Sequence, residues 1–203
     1  MVAISFLPVI AVVATSFTRI SVVLLIVRNA IGIQQTPPIC WSLLRHVLSA
    51  FVMNPVLQSS WQLLILHGAD FSTVGGMADG MVKVGAPLKE FMMKFSDEEV
   101  RGFFVEASQK IWVDAPTIPI ASDDVTILTP SFLVSELTRA FEAGFLIYLP
   151  FLMIDFAVSA ILVALGMQMM SPTVVSTPIK LLLFVSIDGW RRLLEGLVLS
   201  YAN

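Results

Sequence analysis

Two apolar runs separated by a short methionine-rich turn limit what this chain can fold into more than any other feature. From Phe145 to Met167 the sequence is nearly unbroken hydrocarbon, with Asp155 as its only full charge. Met167-Gln168-Met169-Met170-Ser171-Pro172 follows, and then a second apolar run from Val174 to Leu199 carries Lys180, Asp188, Arg191, Arg192 and Glu195. Each run is long enough to cross a bilayer core, which takes about 20 helical residues. Gly166 and Pro172 flank the thioethers, so the stretch reads as a helical hairpin tipped with methionine.

Composition points the same way. Of 203 residues, 57% are hydrophobic and 13% charged, against roughly 45–50% and 25% in soluble domains. A soluble core of this size could not hide so much apolar surface, and the chain reads as an integral membrane protein. A net charge of −3 without a basic block argues against nucleic acid as a partner. Cys40 is the single cysteine, which excludes an internal disulfide and the usual metal clusters. His46 has no partner His or Cys pair nearby, so neither a metal nor a cofactor is expected.

Met1 to Val27 is the first apolar run. No Lys or Arg precedes it, and it is too long for the apolar part of a signal peptide. Arg19 lies inside it. An arginine near the centre of a membrane helix costs about 2.5–3.5 kcal/mol on insertion scales. It must therefore face protein or water, or snorkel to the interface. Gly32 suits a left-handed helix cap, and Pro37-Pro38 enforces extended backbone. A second helix is expected from Trp41 to about Leu66, kinked at Pro55.

From residue 67 to 129 the composition shifts, with ten acidic and five basic residues giving this segment a net charge of −5. It reads as a soluble insert with one or two amphipathic helices between Leu88 and Trp112. Leu88, Phe91, Met92 and Phe95 form a packing stripe, and Ser96 with Glu99 suggests a capping box. Thr129-Pro130-Ser131 suggests the start of a third long helix, which runs to Met167 with an interruption at Pro150. A fourth covers Val174 to Leu199.

The expected architecture is all-α and of the integral-membrane type. It comprises a helical hairpin over 1–66, a small helical extracytoplasmic insert over 67–129 and a second hairpin over 130–203. Four spans put the insert outside and the short, Arg-flanked loop around 28–42 inside, although Arg191 and Arg192 run against that rule. Arg19, Glu136, Asp155, Lys180 and Asp188 sit in apolar helices and ask for partners on other helices or other copies. Two further readings fit some of these residues. Asp155 and Asp188 could form an intramembrane aspartyl pair, but no nucleophile, metal set or phosphate loop accompanies them. A stand-alone small-solute transporter or channel would often show an internal repeat, which is missing.

Several ordered stretches together resemble the FliP/SctR family. Thr15-Ser16-Phe17-Thr18-Arg19-Ile20, Leu25 to Gly32 and Gln35-Thr36-Pro37-Pro38 match its first hairpin. Ser135-Glu136-Leu137-Thr138, Gly144 to Leu152 and Ile154-Asp155 match its third helix. Ala164 to Met167, Met169 to Pro172, Pro178 to Phe184 and Asp188-Gly189-Trp190 match its final hairpin. The resemblance implies a non-enzymatic core subunit of the type III secretion export apparatus in the bacterial inner membrane, flagellar or virulence-related. The Gln-Gln-Thr-Pro-Pro form and the lack of a long leader lean towards the injectisome branch.

The resemblance also implies a homo-oligomer, about five copies by family analogy, joined by FliQ/SctS-type and FliR/SctT-type subunits. FlhB/SctU-type and FlhA/SctV-type export proteins would act beside it, and unfolded substrates would pass through its pore. By the same resemblance Met167 and Met169, extended by Met170, form a pore gasket. It further implies that Glu136 and Lys180 pair between neighbouring copies; Arg19 and Asp155 are expected, from their charge in apolar helices alone, to make contacts between helices or subunits. Gln168 interrupts the family's run of methionines, and Arg191 and Arg192 lie outside its pattern.

Overall fold

The computed structural model describes residues 12–33, 37–66, 74–112, 121–167 and 169–202. Residues 1–11 of the first apolar run, the loop residues 34–36 and Gln168 lie outside that set. Among the described residues there are seven α-helices and no strand: α1 (Phe17–Ile31), α2 (Pro38–Leu66), α3 (Val74–Phe95), α4 (Glu98–Ile111), α5 (Val125–Ala164), α6 (Pro172–Ser186) and α7 (Gly189–Leu199). The all-α expectation holds. Two compact units emerge, one from residues 1–18 and 49–138, the other from 19–48 and 139–203.

In the first unit the aromatic stripe of α3 forms the core. Met92 and Phe95 are buried, and the Phe91 ring lies 4.9 Å from Phe95 and 5.8 Å from Phe132 of α5. Two helices, α3 and α4, occupy the stretch read as one or two. Their junction corrects the capping box: Asp97, not Ser96, caps α4, accepting the Glu99 N–H at 2.9 Å. Ser96 is instead the end of the preceding turn. It donates to the Met93 carbonyl, while Arg101 donates to both Ser96 Oγ and the Met93 carbonyl at 3.0 Å. Ser135 ties α5 to this corner by accepting the Asp97 N–H at 2.9 Å.

The start of α5 also differs from expectation. The helix begins at Val125 because Asp124 meets the first free amides: its side chain accepts from Thr126 and its carbonyl from Leu128. Pro130 therefore lies inside the helix, not at its first turn. Pro150 does not interrupt it either, and α5 continues for 40 residues to Ala164.

In the second unit, Ile20, Val23, Leu24, Val27 and Ile31 are buried along one face of α1 at helical spacing. Gly144 of α5 meets that helix so closely that an added Cβ would sit 2.4 Å from Ile26 Cδ1. Small residues at such crossings let backbones approach. Gly32 ends α1 with φ +85°, the left-handed cap expected there.

The last apolar run is not one helix. It breaks at Ile187–Asp188, and α6 and α7 are bent by 64°. Asp188 has a left-handed backbone, φ 52°, which a carboxamide or carboxylate residue tolerates better than most. Gly189 follows because a Cβ there would lie 2.4 Å from the Phe184 ring, which packs edge-on to Trp190 at 5.3 Å.

Among the described residues two helices, within Ile39–Ile65 and Val125–Ala164, are long and apolar enough to span a membrane, or three spans if the bent pair counts as one. Four were expected. α1 has only 15 described residues, and the final run is angled. The most apolar windows of the two long helices are only 11% and 17% buried by the chain itself. Lipid or other protein must cover the rest.

Candidate functional site

The methionine hairpin is built by a specific helix ending. Gly166 takes φ +74°, its N–H donates to the Val163 carbonyl at 3.0 Å, and the Met167 N–H reaches back to the Leu162 carbonyl at 2.9 Å. This pair of bonds is a Schellman ending, which needs a residue free to go left-handed. The Met170 N–H then donates to the Met167 carbonyl at 3.2 Å, and Ser171 stands at the N-cap position of α6, without a side-chain capping bond, with Pro172 at the first turn. The tip is thus held by backbone bonds while its side chains project. Met169 is fully exposed, at 102% of its reference area, and Met167 and Met170 are each at 41%. Leu165 and Val174 beside them are exposed as well.

Below the tip, Lys180 Nζ of α6 donates to Asp155 Oδ2 of α5 at 2.5 Å. The lysine side chain is 6% exposed and the carboxylate 36%. Asp155 lies nine residues before the end of α5, so the pair clamps the hairpin about 14 Å below its turn. The carboxylate opens on a cleft of about 890 Å³, lined by Asn29, Ser159, Thr173 and Thr177 among others. Thr177 also lies against Gly32, whose hypothetical Cβ would be 3.0 Å from the threonine hydroxyl.

Arg19 is buried and placed at the end of the chain. Its guanidinium donates to Ser200 Oγ at 3.0 Å and lies 4.3 Å from the centre of the Tyr201 ring. Ser200 is the C-cap of α7, and the negative end of a helix dipole favours a cation there. Glu136 belongs to the other unit and is fully buried within α5. Of the four charges expected to make contacts, the structure brings Lys180 and Asp155 together. Asp155 faces an ammonium, not the second carboxylate that an aspartyl pair would need. Among the described residues no group of three or more His, Cys, Asp and Glu could hold a metal ion. Sequence reasoning missed the elbow at Asp188, although an Asp-Gly pair inside an apolar run is a turn signal. It also missed the partners of Arg19, Ser200 and Tyr201, which lie at the far end of the sequence.

The FliP family model matches residues 1–197. The chain belongs to the FliP family. Among relatives of this FliP-family chain, the "Probable translocation protein y4yL" of Sinorhizobium fredii is 45% identical, over 94% of this chain and 86% of that one. The "Yop proteins translocation protein R" of Yersinia pestis is 43% identical over 98% and 92%. The "Harpin secretion protein HrcR" of Erwinia amylovora is 42% identical over the same shares. The hairpin, its clamp and the elbow all lie inside the span that the family covers.

Proposed function

We propose that this chain is a pore-forming core subunit of a type III secretion export gate in the bacterial inner membrane. The translocation and secretion names of its relatives support a role in a protein-secretion apparatus. The finer role is carried by one observation: a hairpin turn with backbone hydrogen bonds at Gly166, Met167 and Met170 presents exposed thioethers to whatever surrounds it. A seal for a conduit of unfolded chains must exclude ions and yet yield to many side-chain shapes. Methionine is flexible and polarizable and adapts to varied partners. A ring of such tips closes an apolar constriction that gates by excluding water.

In this reading several copies, with FliQ/SctS-type and FliR/SctT-type subunits, cover the apolar flanks that the chain leaves open. FlhB/SctU-type and FlhA/SctV-type proteins feed the gate, and residues 67–129 form its extracytoplasmic part. Unfolded substrates and early rod or needle subunits pass. The virulence and harpin-secretion names among the relatives favour an injectisome system. Pairing of Glu136 with Lys180 of a neighbouring copy belongs to the same proposal. It requires Lys180 to exchange Asp155 for a new carboxylate on assembly. Reconstituted gate with Met167, Met169 and Met170 all changed to alanine is expected to leak small ions; conductance equal to wild type overturns the gasket. For the inter-copy pair, E136K and K180E should each reduce the assembled mass and the double variant should restore it. No recovery in the double variant removes that pair from the proposal.

A further inference from the structure

The elbow between α6 and α7 carries a cation that neither the hairpin nor its clamp uses. Two arginines open α7. Arg191 Nε donates to Glu195 Oε1 at 2.8 Å. Arg192 is exposed, and among the described residues no hydrogen bond or ion pair engages its guanidinium, even though Asp188 stands four residues before it. Arg192 lines a cavity of about 220 Å³ whose other walls include Ile147, Phe151, Leu183, Phe184 and Leu193. The cavity is thus a hydrocarbon cleft whose lining includes a residue, Arg192, with an unpartnered charge at the end of its side chain.

Its position follows from helix length. α6 has 15 residues, about 22 Å at 1.5 Å each, which is short of the ~30 Å hydrocarbon core of a bilayer. The chain then turns by 64°. Trp190, Arg191 and Arg192 follow the turn directly, and aromatic and basic residues of this kind mark the membrane interface. Past the turn, α7 buries Leu193 and Leu197 and exposes Arg191, Arg192 and Glu195.

We infer that the elbow binds one anionic phospholipid, with its phosphate at Arg192 and an acyl chain in the cleft. The cleft is open on one side, and its apolar walls offer water few hydrogen-bond partners, so hydrocarbon fits it better than water. The occupant must therefore join a hydrocarbon tail to an anion, and the bilayer supplies that combination. The N-terminus of α7 adds a partial positive charge on the same side. An acidic peptide or free phosphate would meet the arginine but leave the cleft unfilled.

The test is native mass spectrometry of the detergent-purified chain titrated with phosphatidylglycerol or phosphatidylcholine. One phosphatidylglycerol should be retained in preference to phosphatidylcholine. R192Q should weaken that retention by about fivefold, the usual worth of one basic residue at an anionic surface. R191Q should change it little, because Glu195 already holds that charge. Ile187→Trp, which narrows the cleft, should reduce retention of both lipids. Because Arg192 is exposed, R192Q is expected to keep the wild-type circular dichroism, and R192K should retain most of the binding. Equal retention by R192Q and wild type overturns the inference. So does displacement of the lipid by millimolar inorganic phosphate alone, or occupation of the cleft by a second copy, seen as a dimer that excludes lipid.

Discussion

Removing the two halves of the Lys180–Asp155 clamp one at a time should have unequal consequences. Lys180 is 5% exposed, so Asp155→Asn strands an ammonium in a nearly dry site. Breaking a buried pair from one side costs roughly 3–5 kcal/mol. Lys180→Met instead strands a carboxylate that is 36% exposed and opens on a cleft, where water replaces the lost partner. The cost then falls to about 1–2 kcal/mol, the range for a polar group that loses one hydrogen bond. The double variant D155N/K180M leaves no charge behind and should be less destabilised than D155N alone, since neutral replacement of a buried pair is often tolerated. Unfolding in mixed micelles can be followed through Trp190, which packs 5.5 Å from Trp41 in the same unit. If K180M costs as much as D155N, or if the double variant costs the sum of the two, the clamp does not work as described.

Three other substitutions probe the frame. Gly189→Ala should destabilise the elbow by about 1–3 kcal/mol, the range for forcing extra carbon into a filled space, because the Phe184 ring is held between Phe151 and Trp190; wild-type stability in the same unfolding assay contradicts this. Gly166→Ala should cost about 1–2 kcal/mol through its left-handed backbone alone, since no atom lies near the added methyl. The same assay reads it, and Gly166→Asn should cost less. In the first unit, the Lys89 ammonium donates to Asp123 at 2.8 Å and holds that carboxyl below its ordinary 3.8. A depressed folded-state value gives stability that is present above the ordinary pKa and lost as pH falls through the lowered one. Carboxyl NMR of K89Q should show Asp123 titrating higher than in wild type; an unchanged titration refutes the pairing.

The methionine tip was legible because its signals are local. Gly166 and Pro172 punctuate the chain on either side, and each acts through its own backbone. Gly32 was legible for the same reason. The charges in apolar helices were visible too, as residues too costly to leave alone. Their partners were not, because pairing across helices depends on register. Asp155 and Lys180 are 25 residues apart and meet only through the hairpin. The break at Asp188 was hidden by hydrophobicity on both sides: a run that is apolar all round carries no periodicity to interrupt. The start of α5 went astray because proline at a first turn is a strong statistical cue, whereas here Asp124 supplies the hydrogen bonds that decide the boundary.

The 40 residues of α5 make a rod of about 60 Å, twice the depth of the oily slab of a membrane, and an ordinary tilt of about 20° shortens it by only a few ångströms. Part of it must therefore stand clear of the lipid; there the chain itself buries Ile127, Leu128 and Phe132 but leaves Val125, Val134 and Phe141 to the water. A solitary copy is then at ease in neither solvent. Other protein must clothe those side chains, so assembly becomes a condition for each member to persist, and an unmatched surplus is marked for clearance by its own uncovered surface.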